Sequence, residues 1–583
     1  MRMMLQFAAL SIAVAASGCG GSGTTVGVPA PGTSANLPPS GPSSTPGATA
    51  APSSPGGSKT PSPGSSPSAQ PTATPVSSGA ITTTSGTFTG TTASGIAEFK
   101  GIPYAAPPVG PLRWKPPQPV VPAAGVQAAT SFGKACEQGV TPTGPLGTII
   151  LSPPASDQSE NCLFLNVYAP TPLAGKKPVV VWIYGGAYFV GYGDPYDGSY
   201  YAKNGVIAVT LNYRLGIFGF FPHPGLDAES SYHGSGNQGL LDQVAALQWV
   251  RNNIAAFGGD PNNVTIEGES AGGGSVGSLL TSPLGKGLFH QAMLESTYAL
   301  WHPQYTLAQA EASFASAFSL YSESIATLRS LPAAALVAAQ PPDEILGDGH
   351  TNLYDPTNYG PIVDGYYQKD TSLNLWRNHQ FTVSNILIGT CDNEGYIFTS
   401  EPIFGSGYPQ YETNPTFQAY LEQQYGTLGA QALADYPVSA PTDALSQLGY
   451  AFGDTWFGYG TRQIARAEEA AGANVYRYVL TRQPADATSP ETHGCEVDFV
   501  WPGATIDTTP TDTGAATYQA LFQDTFSRFI KTGNPNGGAV SNWPAFGSDD
   551  GYLDIANSGN LPMTEYRQAP LDLVDQYSSA NLP

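Results

Sequence analysis

Residues 266–274 read Ile-Glu-Gly-Glu-Ser-Ala-Gly-Gly-Gly, and within them Gly268-x-Ser270-x-Gly272 has the spacing of a nucleophile elbow. A serine hydroxyl is a poor nucleophile at neutral pH and must be presented to a general base. A sharp strand-to-helix turn does this, and its crowding demands small residues on both sides. By itself the pentapeptide is a weak signal, because Gly, Ser and Ala are common in this chain. Its meaning depends on partners elsewhere.

The flanking sequence supplies the elements such a turn needs. Asn263-Val264-Thr265-Ile266 is a short β-branched run suited to a buried strand. Small residues after the elbow lead through Val276 to Leu279-Leu280, where a helix can pack closely. Upstream, the strand-like run Lys177–Ile183 breaks at Tyr184-Gly185-Gly186-Ala187-Tyr188, a loop able to turn backbone N–H groups toward a developing oxyanion. Downstream, the apolar run Ser384–Gly389 ends in Cys391-Asp392-Asn393-Glu394-Gly395, and His493-Gly494-Cys495-Glu496 follows a Thr/Pro-rich stretch. Serine, then acid, then histidine is the chain order expected of an α/β-hydrolase.

Further motifs extend the pattern from about residue 81 to the C-terminus. They include Phe99-Lys-Gly-Ile-Pro-Tyr-Ala-Ala-Pro-Pro108, Leu112-Arg113-Trp114, Ser159-Glu-Asn-Cys-Leu-Phe-Leu-Asn-Val167 and Asn212-Tyr-Arg-Leu-Gly216. Asn237-Gln-Gly-Leu-Leu-Asp-Gln243 precedes a tryptophan-led stretch, 249–261, that runs into the elbow, and Thr532-Gly-Asn-Pro-Asn536 lies near the end. In these motifs the chain resembles the type-B carboxylesterases, the family of carboxylesterases, cholinesterases and bacterial para-nitrobenzyl esterases.

The resemblance implies an α/β-hydrolase fold: a mixed, mostly parallel central sheet flanked by helices, with long insertions building an active-site gorge. It implies Ser270 as nucleophile, Glu394 as the triad acid and His493 as general base. His493 would take the serine proton during attack and return it to the leaving alkoxide, with Glu394 holding the imidazole. Asp392 is the nearest rival for the acid role, but the family places its acid directly before the glycine. The oxyanion hole is expected at the backbone N–H groups of Gly186, Ala187 and Ala271. Ala187 stands where a third glycine is usual, and Tyr184 where many relatives carry histidine. Glu269 and Glu496 fall where the family has a buried network beside the triad; structural carboxylates satisfied by backbone N–H groups are the alternative. Ser296 matches a second serine of relatives, in a changed Leu-Glu-Ser-Thr setting, and is assigned no catalytic role.

The cysteines number five, an odd count. The resemblance implies a disulfide between Cys136 and Cys162. Cys391 lies three residues before Glu394 and Cys495 two after His493, so a working triad would bring them together. A disulfide Cys391–Cys495 is therefore expected, with two buried free thiols as the alternative. No paired Cys/His spacing suited to a metal appears, and the expected chemistry needs no cofactor.

Cys19 belongs to a different setting. Residues 1–18 carry one positive charge, an apolar stretch and small residues before Cys19, and their length suits a signal-peptide core. Ala16-Ser17-Gly18-Cys19 resembles a bacterial lipobox, so cleavage before Cys19 and lipid attachment to its thiol are expected; simple secretion is the alternative. Export makes disulfides chemically reasonable. Residues 19–80, almost wholly Gly, Ser, Thr, Pro and Ala beyond the cysteine, read as a semi-extended tether. Residues 81–583 are taken as one catalytic domain. Within it 300–345 and 411–470 read as helical and are expected to form the gorge wall and lid.

A net charge of −22 with only 11% charged residues argues against nucleic acid as a partner. The expected partner is a small-molecule ester, bound by a monomer whose membrane contact is the lipid anchor alone. Trp182, Tyr188, Phe189 and Tyr298 lie near the active loops in sequence and are candidate lining residues. A small, aromatic or short-acyl ester is expected as substrate. The alternatives are a lipase-type long-chain ester hydrolase and a non-catalytic surface binding protein of the same fold.

Overall fold

A computed structural model describes residues 76–77, 79–139, 152–297, 304–341, 359–400, 413–440, 443–483, 491–504 and 514–581. The chain divides into two units, Met1–Gln70 and Pro71–Pro583, and every described residue belongs to the second. The export segment 1–18, Cys19, nearly all of the tether and Tyr298 lie outside the described residues.

A twelve-stranded sheet organises the second unit. In spatial order its strands are Val76–Ser77, Thr91–Ala93, Ile96–Pro103, Phe164–Pro170, Ile207–Leu211, Lys177–Ile183, Gly259–Glu269, Gln291–Glu295, Asn385–Cys391, Val475–Leu480, Tyr552–Ala556 and Gly559–Met563. Pairing is parallel from Ile207–Leu211 through Tyr552–Ala556 and antiparallel at both margins. The interior strands read as continuous apolar runs because both sheet faces are covered. Val179, Val180, Val181, Trp182 and Ile183 point alternately to opposite faces, yet none is exposed. The helices Gln238–Asn253, Ala271–Thr281, Tyr459–Ala470 and Ala515–Thr532 pack on this sheet.

The parallel register decides where chemistry can sit. Gly268 pairs with Ile183 on one side and Leu294 on the other. The ends of Lys177–Ile183, Gly259–Glu269, Gln291–Glu295 and Asn385–Cys391 are therefore level, and the segments leaving them meet in space. Ligand sites of parallel α/β sheets gather at this carboxyl edge.

The segments expected to be helical contain helices where they are described. Leu307–Ala317, Ile325–Ser330 and Ala333–Ala339 lie in the first, and Asn414–Tyr425, Gly429–Asp435, Asp443–Gly453 and Tyr459–Ala470 in the second. A π-helical turn, Asp454–Gly458, separates the last two. Such turns lodge an extra residue in a helix and often mark functional sites.

Candidate active site

The elbow is built by exclusion. Ser270 follows the strand Gly259–Glu269, and the helix Ala271–Thr281 begins at the next residue. Its φ of 56° and ψ of −124° are unfavourable for a residue with a Cβ, at a cost of about 1–3 kcal/mol. Neighbours hold it there. The Ser270 amide donates to the Glu295 carbonyl at 3.0 Å, and its own carbonyl accepts from Gly274 at 2.8 Å. A Cβ at Gly272 would collide with the Ile183 carbonyl, and one at Gly268 would come within 2.6 Å of the Gly272 backbone. Both flanking glycines are thus required by contact.

The loop after Lys177–Ile183 closes on the serine. A Cβ at Gly185 would lie 2.8 Å from both the Ser270 Cβ and Glu269 Oε2. Gly186 has φ 103°, Ala187 φ 55° and Tyr188 φ 59°. The Gly186 carbonyl accepts from both Phe189 and Val190 at 3.0 Å, which makes the loop a tight turn. Ala187 sits in the left-handed region that glycine enters freely, so the departure from glycine carries a backbone cost of about 1–2 kcal/mol. Among the described residues, the N–H groups of Gly186, Ala187 and Ala271 donate to no protein acceptor. At Ala271 this results from its place at the start of a helix. Such donors suit an oxyanion.

The imidazole of His493 stands between two carboxylates. Nδ1 lies 2.7 Å from Glu394 Oε2, and Nε2 lies 3.2 Å from Glu269 Oε1. Glu394 is fixed in turn by the Cys391 amide, which donates to its Oε1 at 2.7 Å. Asp392 is committed elsewhere: Tyr450 donates to its Oδ2 at 2.8 Å and Tyr566 to its Oδ1 at 3.1 Å. It orders the loop. Among the described residues no hydrogen bond joins Ser270 to His493. Glu269 Oε1 faces the imidazole, and its Oε2 lies on the Gly185 side of the elbow.

Two aromatic rings that the sequence does not advertise cover the imidazole. Phe457, on the π-helical turn, has its ring centroid 4.3 Å from that of His493, and Phe398 lies at 5.2 Å. Conversely, Trp182 packs against Tyr196 and Trp501, and Tyr188 against Phe220, all of them buried. These two candidate lining residues are core residues; their strand and turn positions face packed layers. Phe189 is partly buried and packs on Tyr359.

Glu496 completes a buried cluster. Ser296 donates to its Oε1 at 2.7 Å and Tyr478 to the same oxygen at 3.1 Å. Ser296, given no part by the sequence, is thus a partner of Glu496. Burial, then the charges of Glu394 and Glu269, push the Glu496 carboxyl up to about 8. Burial, reinforced by Glu394, also raises Glu269 well above the ordinary range.

Two disulfides are present, Cys136–Cys162 with Cα atoms 4.9 Å apart and Cys391–Cys495 with Cα atoms 6.3 Å apart. The second joins the acid loop to the histidine loop. Cys391, Cys495 and Glu496 place their ligand-type atoms close together, but sulfurs spent in a disulfide offer no thiolate for a metal. Disulfides persist in oxidising compartments, so the chain fits an extracellular or periplasmic setting. Among the described residues no helix is long and apolar enough to cross a membrane.

Comparison with known proteins agrees with this geometry. Residues 76–573 match the model of the carboxylesterase family. Fumonisin B1 esterase of Sphingopyxis macrogoltabida is 35% identical over 77% of this chain and 82% of its own length. Para-nitrobenzyl esterase of Bacillus subtilis (strain 168) is 34% identical over 84% of this chain and 97% of its own. A solved structure of PNB esterase, 34% identical, superposes with a TM-score of 0.72 over 85% of this chain and 99% of that one. The chain is a serine ester hydrolase of the α/β-hydrolase fold and belongs to the carboxylesterase family.

Proposed function

We propose that Ser270, His493 and Glu394 carry the hydrolysis through an acyl-enzyme. Ser270 Oγ attacks the ester carbonyl while His493 Nε2 takes its proton, and the carbonyl oxygen becomes an oxyanion held by the N–H groups of Gly186, Ala187 and Ala271. Collapse of the tetrahedral intermediate expels the alkoxide, which receives the proton from His493. Water then repeats the sequence on the acyl-serine, with His493 as base, and releases the acid. Each step moves a proton or an acyl group between these residues, substrate and water, so none draws on a metal or cofactor. The observation that carries this reading is the 2.7 Å contact between His493 Nδ1 and Glu394 Oε2, beside a serine held in a strained turn. A Glu394 carboxylate accepting from Nδ1–H favours the tautomer in which Nε2 is the acceptor.

Glu269, whose Oε1 lies 3.2 Å from Nε2 and whose carboxyl burial raises well above the ordinary range, is placed to order the deacylating water. The substrates proposed are small, aromatic or short-acyl esters, in line with the para-nitrobenzyl ester named for one relative. The protein is proposed to act as a monomer, exported and anchored through a lipid on Cys19. Mass spectrometry of the membrane-extracted mature protein tests the anchor, and an unmodified N-terminus at another residue defeats it. Hydrolysis of a short-chain nitrophenyl ester tests the catalytic assignment: Ser270→Ala is expected to lower kcat by at least about ten-thousand-fold. Equal rates for the two proteins would remove Ser270 from the mechanism.

A further inference from the structure

Beneath the elbow lie two carboxyls that the acyl-transfer steps do not use. Glu267 and Glu295 are fully buried, on the adjacent parallel strands Gly259–Glu269 and Gln291–Glu295. Their carboxyls are within hydrogen-bond reach of each other. Tyr201, from the helix Ser199–Lys203, donates to Glu267 Oε1 at 2.6 Å. Neither Glu267 Oε2 nor either Glu295 oxygen has another donor among the described residues. The charges acting on Glu295 from outside the pair are themselves acidic: Glu496 from the turn before Val497–Val500, and Glu269 from the same strand as Glu267. Tyr478, on Val475–Leu480, is a further titratable neighbour within range of Glu295.

Two ionised carboxylates cannot share a buried site that holds no cation, because desolvation and mutual repulsion act together. A proton between them removes the repulsion and makes the hydrogen bond. Tyr201 already donates to Glu267, which favours Glu267 as acceptor and Glu295 as the protonated donor. Burial raises both groups, Glu267 to about 8 and Glu295 well above the usual carboxylate range, and the pair titrates as a unit.

We propose that Glu267 and Glu295 form a proton-sharing pair that positions the nucleophile. Glu295 is the last residue of its strand, and its carbonyl accepts the Ser270 amide at 3.0 Å. Glu267 precedes Ser270 by three residues on the paired strand. The shared proton ties the two strand ends directly under the strained turn. Loss of that proton at high pH puts like charges on both ends and loosens the serine. This role rests on Ser270 being the nucleophile, while the shared proton itself does not.

The test is a pH series of kcat and KM for wild type, Glu295→Ala, Glu295→Gln and Glu267→Gln, with infrared spectra of the protonated-carboxyl stretch. Glu295→Ala is expected to lower kcat about tenfold with KM little changed, since a buried acceptor loses its donor. Glu295→Gln supplies a donor that does not titrate, so it restores kcat near neutral pH and moves the alkaline fall upward by about one pH unit. Glu267→Gln leaves a donor facing Glu295 and is expected to shift the alkaline fall in the same direction. Glu295→Gln should also lose protonated-carboxyl absorption at neutral pH, whereas Glu267→Gln should shift that band because the acceptor of its proton has changed. If Glu295→Gln follows the wild-type alkaline limb, or the infrared band is unchanged, the pair is overturned. A band lost without any change in kcat or its pH profile overturns the positioning role. A band lost in a protein whose Ser270→Ala variant is as active as wild type defeats the Ser270 assignment and leaves the shared proton standing.

Discussion

The Phe457 ring lies 4.3 Å from the His493 imidazole at an interplanar angle of 33°. Phe457 comes from the π-helical turn Asp454–Gly458, which Arg567 clamps through paired contacts to Asp454, with Tyr436 donating to the same carboxylate at 3.0 Å. The ring covers the imidazole proposed to become cationic in the transition state, and an aromatic face favours that charge. Phe457→Leu is expected to lower kcat by about 2- to 30-fold with little effect on KM. Steady-state kinetics on a nitrophenyl ester reads this directly, and a change confined to KM would place Phe457 in substrate binding instead.

Glu394 and Asp392 sit two residues apart, yet only Glu394 reaches the imidazole. Glu394→Gln should lower kcat by about a thousand- to ten-thousand-fold, through loss of the correct tautomer and of imidazolium stabilisation. Asp392→Asn removes a loop anchor and should cost far less activity, with a lower melting temperature. Comparable losses of kcat for both variants would show that the loop acts as a unit.

The disulfide Cys391–Cys495 closes a segment of 104 residues. Opening it by Cys391→Ser with Cys495→Ser is expected to cost about 2–5 kcal/mol of stability. It should also lower kcat more than it raises KM, because the acid and the base lose their tether. Denaturant unfolding and kinetics of the double variant, beside Cys136→Ser with Cys162→Ser, separate the local effect from a general one. The Cys136–Cys162 pair is expected to affect stability without a comparable change in kcat.

Glu496 and Glu269 are both raised above their ordinary values by burial. The folded state therefore binds more protons than the unfolded chain between the ordinary glutamate range and about 8, the value of Glu496. Stability contributed by these groups is full at the acid end of that window and falls as pH rises through it. The melting temperature should decline from mildly acidic to mildly alkaline pH, and Glu496→Gln should flatten part of that decline. A melting temperature that rises over this window would contradict the assignment of a neutral carboxyl.

What could be read from the sequence tracked distance along the chain. The elbow was legible because its small residues lie within five positions, although the crowding that demands glycine at 272 comes from the Ile183 carbonyl of a neighbouring strand. The Gly186–Ala187 turn was legible for the same reason. The choice between Asp392 and Glu394 needed the family pattern, and its physical cause, capture of Asp392 by Tyr450 and Tyr566, lies on segments far down the chain. Phe398 and Phe457 carried no local signal: each reaches His493 only through packing of the segments after Glu394. Glu267 and Glu295 were hidden as polar interruptions of buried strands. Trp182 and Tyr188 were near the active loops in sequence but point into packed layers, a direction that strand register sets and proximity does not.

The bond between Cys391 and Cys495 also makes the intervening chain a closed covalent ring, which contains the helices from Asn414 to Ala470. The proposed acid and base, Glu394 and His493, stand beside its clasp. Lengthening a ring of this size costs little, since each doubling of a loop adds only about 0.6 kcal/mol. The clasp keeps the side chains of Glu394 and His493 together whatever the length of the ring. Length can therefore be added to the ring wherever Tyr436, Tyr450, Asp454 and Phe457 keep their places, since these four brace the loop and the imidazole from within it.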